Sequence, residues 1–336
     1  MRISLRRPPR RLRGRWWTLL KCWHRPRAAK CLKRAAECTE VVNQVDARQS
    51  ARAPKTAAKA GRLLTEMKPA TKDELVAAFA SFFGMDGGNP HAPLWICGIE
   101  HGGKADGSTE FEAEEEPGAW DSNRRQACAA EIRKWPYWRN LSKIIVQTAR
   151  EAIRPPSADD VPIPSWRTYR DHYLHSPEGW DFKLNLFPLN CSSLSAPEWL
   201  EQHGHQPLLS DIPTYRQLCR EGGRFDFIRK QAKHFRPKLI LGTGVQFRKD
   251  FARAFGFEHC EEREVRVSTN GATRTLYVYQ HREADGTIAT LVVCPFPGSP
   301  LGLNSNALLN ALGRELARYL RASDFGPLPD IAYACR

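Results

Sequence analysis

The 336-residue chain carries 51 Lys+Arg against 37 Asp+Glu, a formal net charge of +14, and 41% of its residues are hydrophobic. That length and apolar share support one large domain or two ordinary ones and exclude wholesale disorder, a collagen-like repeat and a multi-span membrane protein. The positive excess points to a polyanionic partner, but residues 1–66 hold 18 Lys+Arg and four acids, so 18 − 4 accounts for all of it, and 67–336 balances 33 basic against 33 acidic residues.

The first 66 residues have no uncharged run longer than Trp16 to Leu20. That is far short of the roughly 20 residues that cross a bilayer and shorter than the apolar centre of a signal peptide. Residues 47–60 are Ala, Lys, Arg, Gln, Ser and Thr apart from Pro54, with little to bury, the composition of a disordered linker. Three readings stay open: a phosphate-binding basic arm, an organelle-targeting segment, or an extension outside the folded protein. Met67 marks the boundary of charge and order. The expected organisation is therefore a basic extension over 1–66, one domain over 67–325 and a tail over 326–336.

From Met67 the elements alternate. Thr71 and Glu74 have capping-box spacing at the head of a helix over 72–83. PLWICGI (93–99) is a continuous apolar run and predicts a buried strand. It ends in a Gly-rich turn, followed by a polar loop with acids at 110, 112, 114, 115 and 116. Helices are expected over 123–134 and 138–153, interrupted at Pro136, and irregular chain over 154–180. DFKLNLFPL (181–189) is a second strand, with helices over 213–221 and 224–235 after it. KLILG (238–242) is a third strand and leads into a helix over 245–255. Asn270-Gly271 between 263–269 and 274–281 is a hairpin signal. ATLVVC (289–294) is a fourth strand, and a leucine-striped helix spans 305–321.

This alternation predicts an α/β fold: three layers, α/β/α, around a mostly parallel four-stranded sheet, plus a β-hairpin. In such sheets ligands sit beyond the carboxyl ends of the strands, where the unusual segments lie: GIEHGG, PLNCSS, GTG and PFPGSPLGLNS. Glu100 could activate water or bind a polar group, His101 could donate a proton or contact phosphate, and Gly98, Gly102 and Gly103 allow close approach to the backbone. Strand alternation puts Lys183, Asn185 and Phe187 on one face, with Asn190 just beyond; an Asn amide suits the edge of a nucleobase, or equally satisfies buried backbone. In the last loop three prolines and two glycines, Gly298 and Gly302, preset free N–H groups, Ser299, Asn304, Ser305 and Asn306 could bond phosphate, and Leu301 and Leu303 could wedge into a base stack. The alternative there is a leucine packed on the core and Ser305 capping the last helix. Gly242-Thr243-Gly244 reads as a tight strand-to-helix turn.

The ten cysteines include no C-x-x-C. Cys97, Cys191 and Cys294 read as small buried hydrophobes, and free thiols fit a reducing cytoplasm. The pairs His172/His175 and His203/His205 lack a spaced third ligand, so neither a metal nor a cofactor is expected.

The order GIEHGG, LNLFPLNC, RPKLILGTG, CPFPGSPLGLNS resembles the uracil-DNA glycosylase superfamily over roughly residues 90–321. The resemblance implies a three-layer fold, flipping of a modified base into a pocket and cleavage of its N-glycosidic bond. It implies that Glu100 positions or activates water, that Asn185 reads the base, and that residues 298–303 grip phosphates and wedge the stack. It also implies DNA as partner, for a monomer free of membrane. The chain departs from the family in having Phe296 or Pro297 near the place of the leaving-group His, and His101 where Pro is usual. The aromatic that stacks on the base could be Phe111, Trp120 or Phe187. A local basic patch could come from Arg and Lys at 229, 230, 233, 236, 238, 248 and 249. The alternative function is a catalytically weak or inactive module of the same fold that binds nucleic acid or a nucleotide and regulates. A third is processing of free small-molecule nucleotides.

Overall fold

The structure, a computed structural model, describes residues 69–100, 102, 111–154, 161–190, 196–269 and 271–330. Contacts divide the chain after Met67, and every described residue belongs to the second unit. The basic extension, His101, residues 103–110 (with Gly103 and Glu110) and Cys191 lie outside the described residues.

The elements are α1 (Lys72–Phe79), β1 (Gly87–Gly88), β2 (Leu94–Gly98), α2 (Ser122–Lys134), α3 (Pro136–Ala152), β3 (Asp181–Asn185), α4 (Ala196–His203), α5 (Ile212–Glu221), α6 (Arg224–Phe235), β4 (Leu239–Thr243), α7 (Arg248–Phe255), β5 (Arg263–Thr269), β6 (Ala272–Arg282), β7 (Ile288–Cys294) and α8 (Asn306–Ala317). Local chemistry sets their limits. Thr71 and Glu74 close the expected capping box on α1. Pro136 does not interrupt a helix but starts one, at the first position of α3, where its missing N–H costs nothing. Between α3 and β3 a helical turn, Trp166–Thr168, runs into a π-helical turn, Tyr169–Tyr173.

The sheet has seven strands in the order β1-β3-β2-β4-β7-β6-β5. Its centre, β3-β2-β4-β7, is parallel, and both edges are antiparallel. The four predicted strands form this centre, but two expectations need correction. The β5–β6 hairpin is no separate appendage, because β6 runs on through Tyr277 to Arg282 and pairs with β7, extending the sheet. An isolated two-stranded hairpin would be marginal in water. Second, Gly87–Gly88 pairs with Phe182 and Lys183 although it has no side chains to announce a strand.

Apolar cores lie on both faces. Leu94, Ile96, Leu239, Leu241 and Val292 meet α3 and α8 through Leu141, Ile144, Leu308 and Leu312. Trp95, Cys97, Phe182, Leu184, Ile240 and Val293 meet α1, α5, α6 and α7 through Phe79, Tyr215, Phe225 and Phe251. Each fully buried Leu, Ile or Phe contributes about 1.5–3 kcal/mol of transfer free energy, so the sheet's centre is fixed from both sides. Burial pushes the Cys97 thiol up to about 12, in keeping with a thiol used as packing. Residues at the start of the expected tail are tied to the body: Trp180 Nε1 donates to Gly326 O (2.8 Å) and Tyr173 OH to Pro329 O (2.7 Å). No described helix is long and apolar enough to cross a membrane.

Candidate functional site

The end of β3 and the segments that follow β2, β4 and β7 converge on one cleft of about 580 Å³ at the carboxyl ends of the parallel strands. Gly98, Ile99, Glu100 and Gly102 come from the end of β2 and the turn after it, Lys183 and Asn185 from β3, Gln246 and Phe247 from the segment after β4, and Phe296 and Gly298 from the loop after β7. Trp135, Pro136, Tyr137 and Trp138, at the start of α3, close the remaining wall. The Tyr137 and Phe296 rings stack 5.2 Å apart at 7°, and burial pushes the Tyr137 hydroxyl far above its ordinary range, with Thr243 opposing.

A polar set occupies the floor. Asn185 lies beside Gly98 in the β2–β3 register, with its side chain over that glycine: a Cβ on residue 98 would stand 2.3 Å from Asn185 Oδ1. Gly98 is there because the backbone must be bare. Lys183, on the same face as Asn185, donates from Nζ to Asn185 Oδ1 (2.6 Å) and to Leu184 O (2.8 Å), and lies 3.7 Å from Asp86 Oδ2. Lys183, Asp86 and Asn185 are all buried. Burial holds the Lys183 ammonium below the ordinary lysine value, and Asp86 pulls it back up. The fully buried Arg224 fixes the backbone beneath, donating to Asn185 O (2.9 Å) and to Ser81 O (2.8 Å).

Glu100 is no free carboxylate. Arg216, from α5, donates to its Oε1 from both Nη2 (2.8 Å) and Nε (3.1 Å), leaving Oε2 outside the pair. The guanidinium rests on the faces of Phe247 and Phe187, 4.8 and 5.3 Å from their centroids.

Other expected positions behave differently. Phe187 does not share a face with Asn185: β3 ends at Asn185, alternation stops there, and Phe187 turns into the second core. Neither Phe111 nor Trp120 stacks over the cleft, since Phe111 packs on Phe79 and Phe83, and Trp120 on Trp138 and His175. The aromatic walls come from α3, Phe247 and Phe296 instead. Asn190 is tied to α4, its carbonyl facing His203 Nε2 at 2.9 Å. His175 does not pair with His172 as a ligand set: its Nδ1 is bonded to the buried Asp181.

The last loop divides the expected candidates. Leu303 is fully buried in the first core, and Ser305 caps α8 through Leu308 N (3.2 Å). Asn304 Nδ2 donates to Pro300 O (2.7 Å), so it braces the loop. Leu301, in contrast, is 87% exposed, at the tip between Ser299 and Gly302, whose backbones are joined at 3.0 Å. Gly298 takes φ +144°, a conformation other residues avoid, and Arg274 of β6 supports the loop through Gly302 O (2.9 Å).

The basic residues clustered over 229–249 lie elsewhere. Arg229, Lys233 and Arg236 line a separate cavity of about 370 Å³ with Phe257, His281 and Glu283, at the amino ends of β4 and β7. Sequence reasoning missed Asp86, Lys183 as Asn185's partner, Tyr137, Arg216 and Phe247; a charged residue inside the apolar run 181–189 was the one available signal, at Lys183. Compared with known family models, curated proteins and solved structures, the chain matches none.

Proposed function

We propose that this protein binds a nucleobase in the carboxyl-end cleft and hydrolyses the N-glycosidic bond joining a modified or deaminated base to DNA. The observation that carries this reading is the convergence of four strand-end segments on one aromatic-walled cleft with the Asn185 carboxamide at its floor. A ring between Tyr137, Phe247 and Phe296 would bury its faces against aromatics while its edge meets Asn185. Leu301, exposed on the loop that also supplies Phe296 and Gly298, is placed to fill the gap left in a base stack. In the reaction the bond from sugar C1′ to the base nitrogen breaks, the base leaves with the electron pair, and water oxygen bonds to C1′ and loses a proton to solvent. Glu100 orients that water through Oε2, while Arg216 fixes the position of the carboxylate through Oε1. The protein acts on DNA as a monomer in the cytoplasm.

A screen of single- and double-stranded oligonucleotides containing uracil, hypoxanthine or xanthine tests this. The full chain should produce alkali-labile sites with at least one of them, and Glu100→Gln should lower the rate at least tenfold. A screen without release of any base would overturn the hydrolase reading. One observation favours the second reading, a binding module with a regulatory role: Arg216 is committed to Glu100 through Nε and Nη2, and near the place where the family's His is expected stand Phe296, stacked on Tyr137, and Pro297. That reading expects salt-dependent oligonucleotide binding and no alkali-labile product.

A further inference from the structure

The orientation of the Asn185 amide is settled by its neighbours. An ammonium group only donates hydrogen bonds, so the atom 2.6 Å from Lys183 Nζ has to be the amide oxygen. Lys183 is held in place, because Nζ also donates to Leu184 O and faces Asp86. The other side of Oδ1 is closed by Gly98, where even a methyl group would collide with it. The amide oxygen is thus enclosed. The amide nitrogen has two hydrogens, is buried, and has no hydrogen-bond partner among the described residues. A buried donor of this kind calls for an acceptor, because leaving it unmade forfeits the hydrogen bonds it had in water.

We infer that Asn185 recognises its ligand with donors alone, so that the cleft selects a ring whose buried edge carries acceptors and no adjacent donor, the O6/N7 edge of a 6-oxopurine. This rests on the nucleobase reading of the cleft and names its substrate class. An Asn with both ends free matches the O4 and N3–H of uracil, giving one bond and taking one. Here the accepting end is consumed by Lys183, and the N3–H of uracil or the N6 amino group of adenine would be buried against it unpaired. A 6-oxopurine offers O6 and N7 and brings no donor to that edge. Lys183 is therefore a specificity-determining positioning residue: it touches Asn185 and sets what Asn185 can recognise.

The test is equilibrium binding of free hypoxanthine, uracil and adenine to the full chain by calorimetry, beside base release from oligonucleotides carrying each base. Hypoxanthine should bind at least tenfold more tightly than uracil or adenine. Asn185→Asp exchanges the donors for acceptors and should abolish that preference. The wild-type ratio stands whether or not the variant folds, and circular dichroism with a thermal midpoint certifies the variant. Equal or tighter binding of uracil or adenine overturns the inference, as does a folded Asn185→Asp protein that keeps the tenfold preference, or wild-type protein that binds no free base. Preference for hypoxanthine without release from any oligonucleotide removes the hydrolase reading and leaves this one. Release that favours uracil removes this one and leaves the hydrolase.

Discussion

The two ends of the parallel sheet both gather charged residues, but they hold them differently. At the amino ends Arg236 pairs with Asp285, each about half exposed, and Arg229 pairs with Glu258 near the surface. At the carboxyl ends Lys183 and Asp86 are 3% and 5% exposed, and Arg216 and Glu100 are 16% and 9% exposed. Exposed pairs compete with water and hold little. Pairs withdrawn from water are expensive to assemble and to break, and they fix side-chain positions within a cleft. Basic residues close together in sequence, at 229–249, therefore did not mark the site. Charged residues drawn from four distant segments and buried together did.

The sharpest way to break this contrast is Arg216→Ala, which leaves Glu100 without its partner in a poorly hydrated position. Denaturant unfolding should show a loss of about 3 kcal/mol, and a loss below about 1 kcal/mol would put this pair in the same class as the exposed ones. Lys183 gives a pH-dependent version. Its folded-state affinity for the proton is depressed, so just below the ordinary lysine value of 10.5 the unfolded chain holds more protons than the folded one. Stability should accordingly rise with pH across that window, and Lys183→Met should flatten the rise; identical slopes would deny that burial acts on this group. The smallest effect is expected at the other end, where Lys233→Ala should leave base binding within twofold of wild type and the unfolding midpoint almost unmoved. A tenfold fall in binding would show that the amino-end cavity takes part.

Much of this fold could be read from the sequence because its parallel strands are buried on both faces. Such strands write themselves as near-continuous apolar runs, as 93–99, 238–242 and 289–294 do, while 181–189 keeps Asp181, Lys183 and Asn185 among its apolar residues; all four supply the sheet's centre. Gly87–Gly88 could not be read this way, since its pairing with β3 depends on backbone alone. Glu100 and Gly98 were legible because they sit where an apolar run stops, and Asn185 because alternation sets its amide on one face of 181–189. Their partners were not, because Asp86, Tyr137, Arg216 and Phe247 reach the cleft from elements whose approach is decided by packing. Phe187 shows how far periodicity extends: its rule of two holds only while the strand lasts, and the strand ends two residues earlier.

The contact between Gly98 and Asn185 also bears on how this site can change over time. A Cβ at 98 would stand 2.3 Å from Asn185 Oδ1 and 3.0 Å from Lys183 Nζ, so its way opens when residue 185 becomes smaller and the flexible Lys183 end gives by a few tenths of an ångström. The two positions are therefore epistatic: Gly98→Ala alone meets a steric barrier that the same change in an Asn185→Ala background does not, and the two effects do not add. Any lineage that abandons this floor has to do so in a set order, giving up the amide first and filling the glycine's place afterwards.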